Sequence, residues 1–229
     1  MNKSAEQIDR YYFEKRDQPG GAQELVRMCR DAVAHRRNDF GAWWRLSRAL
    51  WWLGEQTEDT ATKRDAGREG FEAGERAARM EPEKPEGHYW ATTCAGEWSL
   101  GIGIPEAIIR GVERKFRAHL EAAGRADPQF DHGGIDRIWC RYYFKLPWPK
   151  RDLSRAIRHG EAAVASDPLN ARSRYYLAEA LWDHHRQNRA REQLGIALVL
   201  KPGEDFDPID GRFIQEKCAI LAREWHVRY

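Results

Sequence analysis

No stretch of this 229-residue chain approaches the roughly 18–20 consecutive apolar residues that a bilayer-crossing helix needs, so no membrane span is expected. Charge of one sign is also scarce. Lys and Arg number 38 against 36 Asp and Glu, a net charge of +2, where a nucleic-acid binder would concentrate a basic stripe. The arginines at 36–37 and between 186 and 191 are too few and scattered for that, and no nucleic-acid partner is expected. Cysteine is sparse: Cys29, Cys94, Cys140 and Cys218 are far apart and form no CxxC pair, which points to reduced, buried side chains rather than a disulfide framework or zinc site. The opening MNKSAEQIDRYYFEKR has no apolar leader core. A cytoplasmic protein is therefore expected, or a periplasmic one if the sequence was cut after a leader.

Catalytic groupings are lacking as well. Asp183-His184-His185 invites a metal, but adjacent helical residues point about 100° apart and no further ligand stands at i+4. GIGIP (101–105) lacks the lysine of a phosphate loop and follows a helical pattern, so it reads as a turn into a helix near Pro105. Gly133-Gly134 reads as a helix entry with Asp131 as its cap. No serine or cysteine sits on a nucleophile elbow, and the carboxylates lie beside Lys and Arg on helix exteriors. No enzyme activity, metal or cofactor is expected.

What the chain does have is aromatic residues (11%, with ten Trp) and a repeat. Ala190, Leu194, Ala197 and Pro202 are spaced +4, +3, +5, and the same spacing joins Ala156, Gly160, Ala163 and Pro168. It recurs at Phe116, Leu120, Ala123 and Pro128, at Gly70, Gly74, Ala77 and Pro82, and, without the proline, at Leu25, Cys29, Ala32 and Arg37. Small residues at these intervals make one narrow helical face on which another helix can approach closely. The proline then stops the helix. An aromatic-rich helical stretch follows each stop, so the unit is a helix-turn-helix pair. From Pro168 to Pro202 the period is 34 residues, the tetratricopeptide length.

These observations predict an all-α, α-α superhelix of tetratricopeptide-like pairs at about 4–37, 40–82, 85–128, 131–168 and 171–202, with long insertions inside some pairs. A capping helix is expected over 208–227, where Phe213, Ile214, Cys218, Leu221, Ala222 and Trp225 form a stripe. One domain of ten or eleven helices results.

The stretch WWRLSRALWW (43–52) then divides by helical angle. Trp43 falls with Leu46, Leu50 and Leu53 and belongs to the core, while Trp44, Arg48, Trp51 and Trp52 turn toward the concave wall. The same register adds Tyr89, Arg137, Arg141, Tyr175, Glu179 and Trp182 to that wall, with Thr93, Glu97, Phe144 and Arg172 beside them. Rings and arginines together suit an extended peptide, a partner's helix or an amphipathic acid. Two states of the wall are open: a usable groove, or a surface filled by an inserted loop or by the last helix.

HYW at 88–90, the FD-GG-DR run at 130–137 and KLPWP at 145–149 resemble the T component of tripartite (TRAP-type) solute transporters, over roughly residues 40–225. The resemblance implies a solute-binding subunit as partner and a hydrophobic ligand held in a channel. Regulators of microtubule dynamics share a similar repeat plan and are a more distant likeness. The expected function is a non-catalytic scaffold that binds a protein through its aromatic and Arg-lined wall, as an accessory to solute transport. The alternative is a binding protein with an internal tunnel for a hydrophobic or carboxylate-bearing small molecule. Oligomeric state is left open.

Overall fold

The computed structural model of this chain describes residues 4–201 and 206–227, and these are all-helical. The helices are α1 (Ala5–Lys15), α2 (Gly21–His35), α3 (Phe40–Glu55), α4 (Thr60–Met80), α5 (Pro85–Ile102), α6 (Ile104–Ile109), α7 (Val112–Ala126), α8 (Phe130–Lys145), α9 (Leu153–Ser166), α10 (Ala171–Asp183), α11 (Gln187–Val199) and α12 (Pro208–Glu224). The fold is of the tetratricopeptide-like α-α superhelix class. Residues Met1–Pro128 form one compact unit and Gln129–Tyr229 another. The first contains the pairs α1/α2, α3/α4 and α5/α7. The second contains α8/α9, α10/α11 and the additional helix α12.

Local chemistry sets the helix ends. Asp39, Asp59, Asp152, Asn170 and Asp207 each accept a backbone N–H at a helix start, and Ser4 and Gln7 cap α1 reciprocally. At the other end, Glu81, Asp127 and Asp167 leave the helical region immediately before Pro82, Pro128 and Pro168. The proline ring disfavours helical backbone in the residue before it. Pro202, the expected stop of the last pair, lies outside the described residues.

The expected small faces are where the helices meet. Leu25, Cys29, Ala32, Ala77, Leu120, Ala123, Ala156, Ala163, Ala190, Leu194 and Ala197 are all 0% exposed, and only Phe116 of the series is half-buried. Between α4 and α5 the approach excludes any side chain. A Cβ on Gly67 would stand 2.3 Å from the Trp98 backbone N, one on Gly74 2.6 Å from that of Ala91, and one on Gly87 2.5 Å from that of Ala78. Larger residues fill the remaining space, with Leu50, Leu120, Leu177, Leu181 and Leu194 fully buried, each contributing about 2 kcal/mol relative to an exposed position.

Two of the three inserted segments are largely helical, while LPWPKRD (146–152) is the non-helical turn between α8 and α9. EQTEDTATKRDAG becomes a turn and the first turns of α4, and SLGIGIPEAIIRG becomes the end of α5, the positive-φ Gly103 and the short α6, with Pro105 in its first turn. With that extra helix the described residues contain twelve helices, against the expected ten or eleven. Asp131 does not cap α8 as expected. Asp131, His132 and Gly133 have positive φ, and the Asp131 carboxylate accepts from the buried Arg137 guanidinium instead. The four cysteines are free and buried, and burial pushes each thiol up to about 12, so none supplies a thiolate.

Candidate functional site

In the first unit, α1 lies against α3 and covers two of the residues expected on the wall, Arg48 and Trp52. Its stripe of Ile8, Tyr12 and Arg16 points inward. Trp52 is 1% exposed, with its Nε1 donating to the Arg16 carbonyl at 3.2 Å and the Arg16 guanidinium 4.4 Å from its ring. Its expected place on the wall is thereby corrected: Trp52 is core. Arg48 is buried too, pairing with Asp9 at 2.5 Å and standing 3.9 Å above the Tyr12 ring. Tyr89, 3% exposed, packs edge-on against Trp90. Trp44 and Trp51 remain half-buried, Trp44 beneath Arg45 and Arg48 and Trp51 between Trp52 and Trp90. Trp43, expected in the core, is also half-buried, and its Nε1 donates to the Arg37 carbonyl at 2.9 Å.

Two titratable sites in this unit emerge only from the packing, and one of them, Glu97, is buried rather than beside an open wall as expected. Glu97 is 4% exposed on α5 and accepts from Lys63 Nζ at 3.1 Å, beside Glu55. Burial above all, then the negative charge of Glu55, holds its carboxyl at about 7 despite Lys63. A carboxyl raised in the fold contributes stability that is complete below its unfolded value of 4.5 and is lost as pH climbs through 7. Glu97→Gln is expected to flatten a decline of about 2 kcal/mol between pH 5 and pH 8, read by urea unfolding. An unchanged decline would contradict this placement.

The second site joins α5 to α7. His88 Nε2 lies 3.1 Å from the Pro82 carbonyl, which can only accept, so His88 Nδ1 accepts in turn from His119 Nδ1 at 2.9 Å. Burial pushes both rings down, so this pair works in the opposite direction, losing stability as pH falls below 6.5.

In the second unit, Arg137 is buried against Asp131, the Asp131 carbonyl and Ser173 Oγ, and so is not on an open wall. Arg141 remains half-buried, donating to Glu179 at 2.5 Å and standing over the Tyr176 and Phe144 rings at 4.6 and 5.6 Å. Tyr175 is half-buried, and burial, then Glu179, pushes its hydroxyl up. α12 closes over part of this face. Asp210 grips the buried Arg172 at 2.5 and 3.0 Å, and Trp225 stacks on Trp182 with centroids 4.1 Å apart and planes 2° apart. The arrangement left accessible on α8 and α10 combines rings, arginines and one paired carboxylate, suited to gripping a polar chain with apolar side groups. None of the wall residues lines the open cleft of about 640 Å³ beside α11, where Ile196, Val199 and Val227 meet Arg191 and His226. Among the described residues, no His, Cys, Asp and Glu cluster could hold a metal, and no helix is long and apolar enough to cross a membrane.

A family model described as Regulator of microtubule dynamics protein 1-3 matches residues 4–209. Among curated proteins, regulator of microtubule dynamics protein 3 of Rattus norvegicus is 24% identical over 202 residues, covering 82% of this chain and 42% of the relative. The Bos taurus protein of that name is 29% identical over 201 residues, covering 81% and 42%. The chain thus spans about two-fifths of the length of these relatives. Among solved structures, a thermophilic TPR protein of Thermus thermophilus superposes with a TM-score of 0.70 at 17% identity, covering 95% of this chain and all of the other. MamA from Desulfovibrio magneticus gives 0.51 at 14% identity, covering 90% and 99%. The structural likenesses bear on the fold alone. The matching family is the one expected as the more distant likeness, in place of the transporter T component.

Proposed function

Because the chain belongs to the regulator of microtubule dynamics protein 1-3 family, we propose that it is a non-catalytic scaffold that holds a protein partner against its aromatic and arginine-bearing helices. The observation that carries this reading is the half-buried face of α8 and α10, where Arg141 lies over Phe144 and Tyr176 with Glu179 beside it. Rings stacked under guanidinium groups offer apolar area and directional donors at small entropy cost. The exposed parts of Trp44 and Trp51 offer a similar, smaller surface in the first unit. An accessory role in solute transport is not carried forward, because the family is a different one. The binding of a protein partner is supported by the tetratricopeptide-like fold and by this ring- and arginine-bearing face.

Quantitative pulldown tests the reading. Arg141→Ala and Trp44→Ala, each with an unchanged thermal melt, are expected to reduce recovery of a given partner about tenfold or more, as loss of a central interface residue does. Equal recovery by wild type and both variants would count against it.

A further inference from the structure

Three cations converge on one ring at the end of α8. Arg141, Lys145 and Arg151 stand 5.6, 5.3 and 5.0 Å from the centroid of Phe144. The turn after α8 brings Arg151 there, with its Nε donating to the Phe144 carbonyl at 2.9 Å and the Asp152 N–H to that of Tyr143 at 3.2 Å. Only two carboxylates of α10 answer them, and each is already taken. Glu179 binds Arg141 at 2.5 Å, and Asp183 binds Arg151 at 2.5 Å. Lys145 makes no ion pair among the described residues. It is held half-buried between two arginines, and its ammonium is pushed below its ordinary value by burial, then by Arg141. On the same turn, Trp148 is 88% exposed.

We infer that this patch is a docking point for an acidic peptide segment, with one carboxylate seated at Lys145 and an apolar neighbour laid on Phe144 and Trp148. The inference rests on the scaffold reading above and deepens it by naming the chemistry of the partner. Charge complementarity selects the occupant. Three cations against two carboxylates leave an excess of one, which a single carboxylate neutralises. A phosphate dianion or a polyanion would bring surplus negative charge against Glu179 and Asp183. Seating the carboxylate also relieves the repulsion between Lys145 and its two arginines, a gain that exists only in the complex.

Two capped octapeptides of glycine and serine test this, one carrying a glutamate beside a leucine and the other a glutamine in its place. Both are titrated into the full chain and followed by NMR. The glutamate peptide is expected to bind at least about fivefold more tightly, with shifts centred on residues 141–151 and a preference that shrinks with salt. Lys145→Met keeps the apolar stem and is expected to melt no lower than wild type while erasing the preference. Equal binding of the two peptides, no shift at 141–151 in the millimolar range, or a preference that survives Lys145→Met would each overturn the inference. So would binding to anionic phospholipid vesicles that is lost in Lys145→Met without any peptide discrimination. If partner recovery depends on Trp44 while the peptides do not discriminate, the scaffold reading stands and this site falls; peptide discrimination without any sensitivity at Trp44 or Arg141 gives the reverse.

Discussion

Gly74→Ala is expected to lower stability by about 3 kcal/mol, whereas Gly195→Ala is expected to raise it by about 0.5–1 kcal/mol, both read by urea unfolding. The two glycines sit inside helices of the same repeat type, so helix propensity alone favours alanine at both. Space separates them. A methyl group at Gly74 would meet the N, Cα and Cβ of Ala91 at 2.6, 2.7 and 2.8 Å, while at Gly195 nothing lies within 4 Å. At Gly74 the obstacle is mostly backbone, which cannot swing aside, so α4 and α5 must part. Separating them opens space around Gly70, whose Cβ position is 2.5 Å from Cys94 Sγ, and strains the hydrogen bond from Ser47 Oγ to the Gly70 carbonyl at 2.7 Å. Equal effects of the two substitutions would show that close approach is not what selects glycine here.

Asp9→Ala is expected to cost about 3 kcal/mol, although Asp9 itself is partly open to solvent. One carboxylate serves two arginines, at 2.7 Å from Arg45 and 2.5 Å from Arg48. Burial by itself would raise the Asp9 carboxyl, but hydrogen bonds and charge from Arg45 and Arg48 outweigh it and hold the group below its ordinary value. Arg48 is 6% exposed and its Nε already lacks a hydrogen bond, so removing Asp9 leaves a buried cation among Tyr12, Phe13 and Trp44. Adding Arg48→Met to Asp9→Ala is expected to restore much of the loss, because the uncompensated charge leaves with it. Strictly additive losses would contradict this. The sign with pH follows from the lowered carboxyl: the contribution is full above its unfolded value of 3.8 and is lost as pH falls through the folded one.

The repeat was legible in the sequence because its signal is steric and local. A glycine or alanine every three to four residues, then a carboxylate or lysine before proline, marks both the packing face and the stop. The fate of each tryptophan was not. A helical wheel assigns one inward side, but α3 has neighbours on several, and the α1 stripe of Ile8, Tyr12 and Arg16 covers the side on which Trp52 stands. Trp52 thereby went from the expected surface to the interior, and Trp43 kept a solvent-facing edge. The spacing of Ile8, Tyr12 and Arg16 at i, i+4 and i+8 was the available sign that α1 is amphipathic and needs a surface to cover. The positions of Glu97 beside Glu55, and of His88 against His119, depend on how helices distant in sequence come together, and no local pattern reports that.

The nesting of neighbouring helices on small residues can be measured by cross-linking. A Cβ on Gly160 of α9 would stand 3.1 Å from Cys140 Sγ of α8, the separation that a disulfide requires between one sulfur and the far Cβ. Gly160→Cys treated with mild oxidant should give a disulfide between Cys140 and the introduced thiol in a peptide mass map, with Cys29, Cys94 and Cys218 still free. Recovery of every thiol in alkylatable form after that treatment would show that α8 and α9 do not meet at this face.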